Sequence, residues 1–177
     1  GGPKPTMVTA NAEQILNSKP IIPGAVTATF WGDLVAVAGD TAIILYETMG
    51  RRTVSSIPTR RPAREVAFSP SGHRLYVTGD DADVLVYDRF GLRELSRIRL
   101  PSVPRAVRMD ASGRWMLARP SVGDTVWIVD LATNHLAGVV AGEWGPDLPL
   151  IAGAATLVTR RHGDVVAWDL LKAPPKK

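Results

Sequence analysis

The chain has 177 residues, 45% of them hydrophobic, with 21 Lys plus Arg against 17 Asp plus Glu for a formal charge of +4, and no cysteine. That length and apolar content suit one domain with its own core, while the missing cysteine excludes disulfides, thiolate chemistry and sulfur-ligated zinc. No apolar run approaches the roughly 18 to 20 residues of a membrane span and no signal-peptide pattern opens the chain, so a soluble domain without membrane insertion is expected.

In chain order, residues 1–11 and 173–177 read as linker and as a Pro/Lys-rich tail, from Gly1, Gly2, Pro3, Lys4, Pro5 and from Pro174, Pro175, Lys176, Lys177. These ends suggest a segment of a larger protein. The stretch from Ile15 to Val26, with a strand expected at 12–22, lines up with Leu95 to Val107. In both, a Pro stands three residues before the Val that opens a strand. Four copies of one unit follow, at about 26–62, 63–104, 105–146 and 147–172. Each carries an aromatic or β-branched residue followed by an acid: Tyr46 and Glu47, Tyr87 and Asp88, Val129 and Asp130, Trp168 and Asp169.

The second copy gives the clearest strands. Glu65 to Phe68 form strand A, Ser69 to Gly72 a turn, and Leu75 to Thr78 strand B. Gly79 to Asp83 turn the chain into strand C, Val84 to Tyr87, and Phe90, Gly91 and Leu92 lead to strand D, Glu94 to Leu100. Pro101 and Pro104 end it by withholding backbone donors. β-branched and aromatic residues dominate these runs, and Pro, Gly and Ser punctuate them. The third copy repeats the plan at Trp115 to Ala118, Thr125 to Val129 and His135 to Ala141. The fourth has Leu148 to Ala152, Ala155 to Thr159 and Asp164 to Trp168, then stops without a strand D. No helical period occurs.

A fixed period near 41 residues with four strands in each unit predicts an all-β fold, a β-propeller with four four-stranded blades. Strand C is apolar almost throughout, which suits strands covered on both faces; a flat sandwich does not account for the recurring turns. The expected completion of the last blade is the N-terminal strand at 12–22. Four full blades are few for a closed ring, and an open one leaves an apolar sheet face at each end. A closed four-bladed monomer, a ring of four plus four blades from two chains, and a ring finished by another chain all meet that need.

The second and third copies resemble the bacterial YVTN family of β-propeller repeats, related in architecture to the WD40 class. The resemblance is carried by Val66, Ala67, Phe68, Ser69, Pro70, Ser71 and Gly72, by Leu75, Tyr76, Val77 and Thr78, and by Val126 to Asp130 with Leu131, Ala132 and Thr133. It implies the fold and a bacterial source, in a soluble domain on either side of the membrane. It implies no single function, because propellers host binding surfaces, sensors and enzymes alike.

Candidate chemistry is sparse. Asp80, Asp81 and Asp83 could suit a hard cation, but Asp beside Gly recurs at the equivalent turns as Gly39 and Asp40, Gly123 and Asp124, and Gly163 and Asp164, which favours turn chemistry. His73, His135 and His162 fall in separate turns. No nucleophile elbow or phosphate-binding loop is present, so no catalytic residue, metal or cofactor is expected. Nucleic acid is not an expected partner either, because Arg and Asp alternate along the chain. Propeller geometry gathers Arg60, Arg61, Arg64, Arg105, Arg119, Arg160 and Arg161 on the face carrying the D-to-A and B-to-C turns. Arg suits bidentate contact with carboxylates; solvated pairing with Asp80, Asp81, Asp124 and Asp164 is the alternative. The expected function is a non-catalytic protein-interaction or scaffold module using this face, with homodimerisation as one route to a ring. The alternative is a small-molecule-binding or hydrolytic, lactonase-like propeller with a central-channel site.

Overall fold

The computed structural model describes residues 26–144, 150–152 and 155–171. The strand expected at 12–22 and the tail at 173–177 lie outside the described residues. The first sheet contains β1 (Val26–Ala28), β2 (Leu34–Ala38), β3 (Ala42–Glu47) and β4 (Arg52–Pro58); the second β5 (Glu65–Phe68), β6 (Arg74–Thr78), β7 (Asp83–Asp88) and β8 (Arg93–Arg99). The third contains β9 (Pro104–Met109), β10 (Trp115–Pro120), β11 (Thr125–Asp130) and β12 (His135–Ala141); the fourth β13 (Leu150–Ala152), β14 (Thr156–Arg161) and β15 (Asp164–Asp169). All are antiparallel meanders with strands in sequence order, and the described residues contain no helix.

Repeated side chains make repeated turns. Between the first two strands of each four-stranded sheet, an oxygen-bearing residue accepts a backbone N–H from five residues on: Leu34 to Thr29 at 3.3 Å, Arg74 to Ser69 at 3.1 Å, and Trp115 to Asp110 at 2.7 Å. Three residues after that acceptor the chain needs a left-handed φ, and Gly supplies it at Gly32, Gly72 and Gly113, with φ of 68°, 71° and 73°. The acid ending the third strand closes the next turn. Asp88, Asp130 and Asp169 each accept the N–H two residues on, from Phe90, Ala132 and Leu171 at 2.9 to 3.0 Å. The recurring acid is thus a turn cap. In all three four-stranded sheets the fourth strand is also bulged at one place, opposite Leu45/Tyr46, Val86/Tyr87 and Ile128/Val129. The bulge adds twist, which suits strands at the rim of a curved stack.

The sheets pack face to face through three separate clusters. Leu34, Ala36, Ile43, Leu45 and Ile57 of the first sheet meet Val66, Phe68, Leu75, Val77, Leu85 and Tyr87 of the second. The second sheet's opposite face, with Tyr76, Val84, Val86 and Ile98, meets Val107, Met116, Ala118, Trp127 and Val129. The third sheet's far face, with Trp115, Leu117, Val126 and Ile128, meets Leu157, Trp168 and Leu170. Strands buried on both faces are apolar at odd and even positions alike, as β7 and β11 are. Each fully buried Ile or Leu contributes about 1.5–3 kcal/mol relative to exposure.

Candidate functional site

Backbone hydrogen bonds gather the turns of one end. Thr59 and Ala63, after β4, donate to Thr41 and Gly39 between β2 and β3; Leu100, after β8, donates to Ala82 between β6 and β7; Gly142, after β12, donates to Asp124 between β10 and β11. Each D-to-A connection is therefore tied to the B-to-C turn of its own sheet, and the arginines stand on this end. The seven divide into two groups. Arg64 donates to both carboxylate oxygens of Asp80, from Nε at 2.7 Å and from Nη2 at 3.0 Å, and Arg61 pairs with Asp81. The hydrogen bond and charge of Arg64 hold the Asp80 carboxyl below its ordinary range, and Asp80 raises Arg64 in return. Arg60, Arg105, Arg160 and Arg161 are exposed and Arg119 is half-buried, and these five make no ion pair among the described residues.

The three neighbouring aspartates have structural duties. Asp80 and Asp81 hold arginines, Asp83 holds Arg99 at 2.9 Å, and Asp81 accepts the Asp83 N–H at 3.2 Å, closing its own turn. The histidines are dispersed. His73 lies before β6, and His135 opens β12 at the same end; His162 is between β14 and β15 at the arginine end.

At the end opposite the arginines, a groove of about 370 Å³ runs between the first two sheets. Leu34 and Leu45 form its floor, Met49, Val54, Phe90 and Leu92 its apolar rim, and Asp33, Glu47 and Arg89 its charged groups. The hydrogen bond from Thr29 holds the Asp33 carboxyl below its ordinary range. Glu47 is engaged by Arg52 at 3.0 Å, and Arg89 lies over the Phe90 ring at 4.5 Å. Phe30 and Trp31, an edge-to-face pair, project from the turn beside this groove, with Trp31 84% exposed. The sequence reading passed over this surface. Its signal is a bulky apolar residue directly before a turn glycine, at Trp31, Met49 and Phe90.

Glu65 was also passed over. It sits on the face of the second sheet that meets the third, and its Oε2 accepts the backbone N–H of Val107 in β9 at 2.9 Å. Burial pushes its carboxyl up to about 7, and the Val107 bond opposes that rise only partly. It is the one acidic residue on the first strands of the four sheets.

No protein-family model matches the chain, and no curated protein matches it in sequence. Solved structures do match. The hydrazine synthase of Kuenenia stuttgartiensis superposes with a TM-score of 0.64 at 16% identity, over 86% of this chain and 48% of that one. At that identity the likeness shows the fold alone. The present chain spans about half the length of the matched one. With 851 solved chains matching, the architecture is too widely shared to indicate an activity.

Proposed function

We propose that the four sheets are blades of a β-propeller of the YVTN repeat type, and that the chain is a non-catalytic interaction or scaffold module whose arginine end binds an acidic segment of a protein partner. The supporting observation is the division among the arginines: Arg61 and Arg64 are engaged by Asp81 and Asp80, whereas Arg60, Arg105, Arg119, Arg160 and Arg161 at the same end have no ionic partner among the described residues. Guanidinium groups left unpaired in this way are free to make bidentate contacts with carboxylates. Against a hydrolytic centre on the first strands of the sheets stands the poverty of converging groups there, since among the described residues of those strands Glu65 is the single acid and its carboxyl is held by a backbone N–H. In this reading the ring is completed by four further blades from a second copy.

Binding of a fluorescent Glu-rich peptide tests the interaction surface. Replacing Arg60, Arg105, Arg160 and Arg161 together by Ala should abolish binding and leave the melting temperature unchanged. Unchanged peptide binding, or tighter binding of duplex DNA than of the peptide by the native chain, refutes the proposal.

A further inference from the structure

The fourth sheet is built like the other three up to its last strand. β15 has six residues and pairs with β14 from Thr156↔Asp169 to Arg161↔Asp164. β3, β7 and β11 are also six residues long, and each carries a seven-residue fourth strand in a common register, broken after its fourth residue. Among the described residues no strand pairs with the outer edge of β15. Along that edge the N–H and C=O groups that meet no described strand form a strand-accepting seat whose register the three other sheets display.

The order of the chain says where the missing strand must come from. β4 leads into β5, β8 into β9 and β12 into β13, so the strand preceding a first strand belongs to the sheet packed against that first strand's sheet. By the same rule, a strand just before β1 completes whichever sheet covers the outer face of the first sheet. That face carries Val26, Ala28, Val35, Val37, Ile44 and Tyr46, which share it by cross-strand register. The matching outer face of the fourth sheet carries Val158, Val165 and Ala167, together with Thr156, Arg160 and Asp169. Among the described residues these faces do not close on each other: Val165 is 70% exposed and Val26 is 42% exposed.

We propose that the edge of β15 takes its fourth strand from the segment 12–22 of a second copy, while the fourth sheet of that copy covers the outer face of the first sheet. Twenty-five residues precede Val26, more than the seven a fourth strand uses. The spacing Pro20, Ile21, Ile22, Pro23 before Val26 repeats Pro101, Ser102, Val103, Pro104 before Val107, the connection that follows β8. Exchange is mutual, so two strands and two pairs of apolar faces are satisfied by one twofold arrangement. The seat has this meaning only if the sheets are blades, as proposed above, and of the seven arginines only Arg160, opposite Val165, shares the covered face.

The cysteine-free sequence makes the test clean. Acceptor copies carry Val165→Cys; donor copies of different tag length carry Ile15→Cys, Leu16→Cys or Asn17→Cys, or Thr6→Cys as control. Each pair is co-expressed, oxidised and run on a non-reducing gel, with molar mass by light scattering. Expected are an acceptor–donor disulfide from at least one of the three donor positions and not from the control, and a mass twice 19.0 kDa. A disulfide formed only within a doubly substituted single chain of 19.0 kDa overturns exchange in favour of the chain's own strand. No disulfide at any position overturns the seat itself. Peptide binding at the arginine end is measured on the same samples, so either idea can fail while the other stands.

Discussion

Glu65 offers the sharpest physical test, because it is half-buried between two sheets and meets a backbone N–H instead of a cation. Burial raises its pKa from 4.5 to about 7, so the folded chain holds this proton more tightly than the unfolded chain does. The sign follows from linkage: between those two values the native state binds more protons, so stability falls as pH rises. The favourable share is fully present below pH 4.5 and is lost as pH rises through about 7. At ~1.4 kcal/mol per tenfold, the loss is at most about 3 kcal/mol. Glu65→Gln removes the charge and keeps an oxygen able to accept the Val107 N–H. Urea denaturation from pH 4 to 8 should show the native chain losing stability relative to the variant across this window. The variant should be the more stable by about 2–3 kcal/mol at pH 8 and close to native at pH 4. Parallel curves for the two proteins would refute the upward shift of this carboxyl.

Two further substitutions probe the turns and the core. Gly72→Ala places a Cβ at a φ of 71° and 3.1 Å from Cγ2 of Thr29 in the neighbouring sheet, so it should cost about 1–2 kcal/mol by thermal unfolding. Gly123→Ala, at a φ of 95° with no atom within 4 Å of the new Cβ, isolates the backbone share of that cost. Leu157→Ala empties the fully buried apolar position through which the fourth sheet meets the third. It should cost about 2–5 kcal/mol, and hydrogen exchange should show β14 and β15 losing protection first.

The strands were legible because turn chemistry is local. Thr29, Ser69 and Asp110, each three residues ahead of a glycine, act within a few residues of themselves, and so do the acids closing β7, β11 and β15. Antiparallel order followed from the shortness of those turns. What lay beyond the sequence depends on contacts between units. Glu65 alternates with Val66 as though it faced solvent, yet both faces of β5 are covered, and its partner Val107 lies 42 residues away. Asp80 and Asp81 were named as possible partners of the arginines, but their choice of Arg64 and Arg61 over Arg60 is set by the path of the connection after β4. The bulges opposite Tyr46, Tyr87 and Val129 leave no residue signature, since the unpaired residues are as different as Val54, Leu95 and Ala137. Of the fourth sheet's first strand, expected over 148–152, the described part is Leu150–Ala152.

The three clusters that join the sheets share no residue, and this shapes how the molecule comes apart and how it could have grown. Each sheet is coupled to its neighbours alone, so stability adds up along the stack like that of a one-dimensional array. In a chain without its partner copy, the middle sheets should melt last and the end sheets fray independently. Because the second and third sheets offer the same kind of apolar surface on both sides, duplicating or deleting one whole unit leaves its new neighbours with faces that still fit.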